Sequence, residues 1–157
     1  MGTCGIAAWA QDVLKALWEE MDKHNLRATI KKVGCIAMCE QEVLVDVQFP
    51  GSPRVTYGNV TPKKVSRIVE SHLKEHVPVQ EWVVGEVATP EAPYPGNPFY
   101  MKQKRIVLKK CGFIDPESID EYIAMDGYSG LVSVLTRMTP EEVIEEVKSG
   151  LRGRRRL

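Results

Sequence analysis

Four prolines in the ten residues from Thr89 to Pro98, TPEAPYPGNP, limit this chain more than any other feature. Each proline removes a backbone donor and fixes one dihedral, so the stretch favours extended or turn conformations and breaks any helix or strand that meets it. The sequence therefore reads as two parts joined by a linker, with residues 1–88 before it, 89–104 forming it and 105–157 after it. Hydrophobic residues make up 43% of the 157 and charged ones 27%, enough to build a core and unlike a disordered or fibrous chain. Lys plus Arg and Asp plus Glu both number 21. With no net field, nucleic acid is not an expected partner. No apolar run approaches the roughly 20 residues that span a bilayer, so direct membrane insertion is not expected either. The start lacks the order of a signal peptide, which points to the cytoplasm.

Periodicity gives the elements. Val13, Leu14, Leu17, Trp18 and Met21 recur at helical spacing and stop near Asn25, predicting an amphipathic helix. Residues 28–33 read as a short strand. Val43, Val45, Val47 and Phe49 alternate with Leu44, Asp46 and Gln48, the pattern of a half-buried strand, and residues 54–58 return after a Pro-Gly turn. Thr61-Pro62 caps a helix with Val65, Ile68, Val69 and Leu73 inward. Beyond the linker, residues 105–108 read as a short extended piece, and Asp115-Pro116-Glu117 as a helix start. Tyr128, Leu131, Val132 and Leu135 form an apolar stripe on a further helix, and Thr139 with Glu142 forms a capping box before another. The expected class is α/β, with a mainly helical segment at the end.

Four cysteines are too few for a disulfide scaffold, and a close pair in a reducing compartment points to metal or redox chemistry. Cys35 and Cys39 form a C-x3-C pair after Gly34, and Cys4 lies at the start of a helix, where free backbone N–H groups favour a thiolate. Spacing alone leaves half-buried structural cysteines as the alternative. Cys111, with no cysteine or histidine near it in sequence, reads as a packed residue. His24, His72 and His76 read as solvated or capping residues, and Trp9, Trp18 and Trp82 as core or interface aromatics.

Residues 2–8, GTCGIAA, with residues 33–39, VGCIAMC, and residues 55–62, VTYGNVTP, together resemble the thioredoxin-like 2Fe-2S ferredoxin domain of NADH dehydrogenases and NAD-linked hydrogenases. Residues 105–119, RIVLKKCGFIDPESI, and residues 139–144, TPEEVI, are similar to the opening of the NADH-binding flavoprotein subunit of the same complexes. The resemblance implies a thioredoxin-like ferredoxin domain that passes single electrons through a 2Fe-2S cluster. Its partners would be the other subunits of such a complex. Cys4, Cys35 and Cys39 are then the cluster and metal ligands. The usual motif is C-x-G-T-x-C with C-x3-C, which would put one ligand before Met1 and another on Gly5, so three thiolates stand where four are customary.

The family continues S-G-L-R-G-R into a glycine-rich flavin loop, whereas this sequence reads Ser149-Gly150-Leu151-Arg152-Gly153-Arg154-Arg155-Arg156-Leu157. The FMN and NAD sites of the family are accordingly expected to be absent, and the chain is expected not to oxidise NADH by itself. A thioredoxin-like domain also opens with a strand that would precede Met1, so truncation at both ends and marginal stability are expected. Three other functions remain open: a cluster-free docking module, a zinc site of three cysteines and one histidine, and, ranked last, a dithiol oxidoreductase.

Overall fold

A computed structural model describes residues 1–87 and 98–150. The expected linker residues 89–97 and the basic end, Arg152 to Leu157, lie outside the described residues. The chain divides into two compact units, Met1–Glu117 and Ser118–Leu157.

The first unit opens with α1 (Thr3–Ala7) and α2 (Ala10–Lys23). The predicted helix is α2, and it ends where Asn25 takes a left-handed φ of 52°. Val13 and Met21 are buried as the periodicity requires, whereas Trp9 and Trp18 are 72% and 52% exposed. Those two tryptophans are therefore surface residues, and only Trp82 packs against the core. A three-stranded antiparallel sheet follows in the order β1 (Val45–Val47), β2 (Arg54–Tyr57), β3 (Val83–Val87). The alternation in 43–49 is seen directly: Val43 and Val47 are buried while Asp46 and Gln48 face solvent. Between β2 and β3 comes α3 (Pro62–Ile68), with proline at its first turn, continued by a widened turn over Val69–Lys74. Val65, Ile68 and Val69 are fully buried against Val13, Val47, Val55 and Tyr57, which makes the main core.

Two sequence expectations for this unit do not hold. Residues 28–33 form no strand. A strand is a ladder as well as a residue pattern, and among the described residues no neighbouring strand is hydrogen-bonded to this stretch. Residues 105–108 are not extended either, because the chain turns continuously from 106 to 114. That turn returns it to the sheet: the Arg54 guanidinium donates to the Gly112 carbonyl at 2.6 Å and lies 4.8 Å from the centre of the Phe113 ring. Just before it, α4 (Pro98–Met101) carries the buried Tyr100, whose hydroxyl donates to the Ile36 carbonyl at 3.3 Å.

The second unit is α5 (Ile119–Ala124), α6 (Ser129–Arg137) and α7 (Pro140–Gly150). α5 begins later than Asp115-Pro116 suggested. Ser118 is its cap, accepting from the Glu121 amide at 3.3 Å, while the Asp115 carboxylate accepts from the Glu117 amide in a preceding turn. The capping box is present in full: Thr139 N–H donates to Glu142 Oε2 at 2.8 Å, and Glu142 N–H donates to Thr139 Oγ1 at 3.3 Å. The expected α/β class with a helical end is borne out.

Candidate functional site

The three predicted ligands come from three places in the first unit. Cys4 is the second residue of α1, Cys35 lies in the loop after residues 28–33, and Cys39 opens a short turn of 3-10 helix, Cys39–Gln41. Cys4 and Cys39 are exposed and Cys35 is half-buried, and all four cysteines are free thiols. The close approach of α1 to the loop depends on Gly2, where a Cβ would lie 3.0 Å from the Cβ of Cys35. Any larger residue would push the start of α1 away from Cys35. The loop in turn closes on the sulfur of Cys35, because Ala37 takes a left-handed φ of 66° and its N–H donates to Cys35 Sγ at 3.3 Å.

The thiols sense one another. Cys39 is pushed up to about 11 by its hydrogen bond with Cys4, by charge repulsion from Cys4, by desolvation and by Cys35. Such a set of soft donors disfavours its own ionisation until a cation offsets the accumulating charge. Among the described residues no three His, Cys, Asp or Glu side chains are arranged as a ready metal cage. The two findings are compatible: Cys39 interacts with each of the other two, without all three converging on a point. By donor type the site fits an iron–sulfur centre, and by number it supplies three of four customary thiolates.

Two neighbours of the site were not legible in the sequence. A Cβ on Gly5, the residue at the family's second ligand position, would meet Glu42 Oε2 at 3.1 Å, so a carboxylate stands where a cysteine side chain would begin. Glu42 Oε2 also accepts the Leu44 amide at 3.2 Å. Cys111, read as simply packed, has its Sγ 3.5 Å from the place of a Cβ on Gly34, beside Cys35. Its partner is 77 residues away in sequence. No local pattern could have announced that contact. The histidines lie elsewhere: the ring of His72 is buried against Tyr57 and Phe49.

No family model matches the chain. It is similar to the NADP-reducing hydrogenase subunit HndC of Solidesulfovibrio fructosivorans, with 68% identity over 54 residues, 34% of this chain and 11% of that subunit. It is also similar to a 2Fe-2S ferredoxin of Clostridium pasteurianum, with 35% identity over 65 residues, 40% of this chain and 61% of that ferredoxin. The family resemblance is borne out. This chain spans less than two thirds of either curated relative. Among solved structures, a thioredoxin-like [2Fe-2S] ferredoxin from Aquifex aeolicus superposes with a TM-score of 0.48 and 28% identity, covering 55% of this chain and 78% of that one. Among the described residues, no helix is long and apolar enough to cross a membrane.

Proposed function

We propose that this chain is an electron-transfer subunit, or part of one, from an NADH dehydrogenase or NAD-linked hydrogenase complex, and that Cys4, Cys35 and Cys39 are its cluster ligands. When bound there, a 2Fe-2S cluster would supply one-electron transfer. The observation that carries the reading is the interaction of Cys39 with both Cys4 and Cys35, the positions that the motif resemblance names, which the perturbed Cys39 thiol reflects. Cys111 and the histidines are not among the proposed ligands. The chain's own residues contribute the soft donors, the Ala37 N–H that polarises the Cys35 sulfur, and the Gly2 gap that lets α1 close over the loop. Partners would be the neighbouring subunits of the complex. Residues 1–88 would form the ferredoxin domain, residues 89–104 the linker, and residues 105–157 the opening of a flavoprotein part.

Anaerobic reconstitution with iron and sulfide, followed by iron and zinc analysis and electron paramagnetic resonance of the reduced sample, tests this. The expected result is about two irons per chain and a signal that Cys39→Ser abolishes. No iron above that variant would overturn the electron carrier in favour of a cluster-free docking module. Stoichiometric zinc with no iron would overturn it in favour of a zinc site.

A further inference from the structure

The loop that carries Cys35 has no helix or strand of its own until Cys39 opens its short turn, so its shape depends on contacts from elsewhere in the chain. Residues 100–113 supply them. The Tyr100 hydroxyl donates to the Ile36 carbonyl at 3.3 Å. Tyr100, 5% exposed, also packs with Met38, 2% exposed, and Val87 in a small core apart from the main one, with Ile36 and Phe113 against it. At Gly112, where φ is 86°, a Cβ would lie 2.5 Å from Ile36 Cγ2, an approach that only glycine permits. The Cys111 sulfur lies against Gly34 of the same loop. Residues 100–113 are themselves held in place: Arg105 Nη2 donates to the Cys111 carbonyl at 3.4 Å, and the Arg54 guanidinium of β2 donates to the Gly112 carbonyl.

We propose that residues 100–113 brace the ligand loop, and that Tyr100 is the positioning residue that sets the spacing of Cys35 and Cys39 through Ile36 and Met38 between them. The directions of the two sulfurs depend on the backbone of the three residues that separate them, and each of the three is fixed. Ile36 is held at its carbonyl by Tyr100, Ala37 by the bond from its N–H to Cys35 Sγ, and Met38 by burial against Tyr100. Tyr100 therefore acts on two of the three. Groups that hold metal ligands from behind set affinity and tuning without touching the metal. The Tyr100 hydroxyl is suited to this as a lasting donor: burial, Glu40, Cys35 and Cys39 push its pKa up against the opposing pull of Arg105, so it keeps its proton. Residues 105–113 belong to the stretch that resembles the opening of the flavoprotein subunit, so the ligand loop of one part is held by the beginning of the next. The inference rests on the reading of Cys35 and Cys39 as metal ligands.

The test uses the full metal-free chain and cadmium(II), a soft cation that thiolates bind whatever metal they hold natively. Tyr100→Phe keeps the ring and removes the bond to Ile36. It should speed amide exchange at residues 36–41 about tenfold while the core amides of α3 keep the parental rate. Cadmium binding, read by sulfur-to-cadmium charge-transfer absorbance, should weaken about tenfold. Gly112→Ala, which acts on the Ile36 side chain and not through a hydrogen bond, should give the same local signature. Equal acceleration of both sets of amides would mean general destabilisation and overturn the proposal. Unchanged exchange at residues 36–41 in Tyr100→Phe, or unchanged cadmium affinity, would also overturn it. Failure of the parent chain to take up iron on reconstitution, with the exchange and cadmium effects present, would overturn the electron carrier and support the brace.

Discussion

Tyr57 and His72 form the buried polar pair on which the main core closes. The Tyr57 hydroxyl lies 2.7 Å from His72 Nδ1 and accepts the Val79 amide at 3.2 Å, so its own proton is free to be donated to Nδ1. That fixes the neutral tautomer of His72 with its proton on Nε2. Burial holds the His72 pKa below its ordinary value, and the nearby His76 lowers it further. The fold therefore binds fewer protons than the unfolded chain, in which the group titrates near 6.5. This contribution to stability is complete above about pH 6.5 and is lost as the pH falls from there towards the lowered folded value. Melting followed by circular dichroism between pH 7.5 and 5 should show Tm falling more steeply for this chain than for His72→Gln, and parallel curves would sink the assignment. Tyr57→Phe should cost about 1–3 kcal/mol in urea denaturation, because it strands the Val79 donor and the His72 acceptor in the core. None of this was legible in the sequence, where His72 read as a helix-face residue. Its partner Tyr57 lies at 15 residues' separation, the Val79 amide that donates to Tyr57 lies across a loop, and only the fold assembles them.

At the level of elements, what the sequence revealed depended on how local each signal was. The periodicity of α2 and α3 and the box at Thr139 rest on residues within a turn or two of each other, and all three are present. β3 went unread: it has five residues, is interrupted by Gly85, and owes its state to pairing with β2. Residues 28–33 carry strand residues without a ladder. For the candidate site, the C-x3-C pair was local and legible, and bringing Cys4 to it required the family motif. The Glu42 carboxylate beside Gly5 and the Cys111 sulfur beside Gly34 are tertiary contacts with no sequence signal. The box also gives a measurable expectation. Thr139→Ala removes one of its two reciprocal bonds and should lower the stability of α7 by about 1 kcal/mol. A loss of helical ellipticity on mild heating, reversed in Thr139→Ser, would show it, and an unchanged melting profile would contradict it.

For the molecule as a whole, a cavity makes the main core of the first unit uneven. Val65, Ile68 and Val69 are sealed against Val55 and Tyr57, so a deleted side chain leaves a new void. Leu17, half-buried against the same core, already lines this cavity of about 570 Å³ and has fewer packing neighbours to lose. Large-to-small substitutions cost the transfer of the lost atoms plus the void they create, and only the first part applies in full at Leu17. Ile68→Ala should therefore cost about 3–4 kcal/mol and Leu17→Ala only about 1–2 kcal/mol in urea denaturation at unchanged m. Equal losses would mean that the cavity is closed in solution and that the core is packed alike throughout.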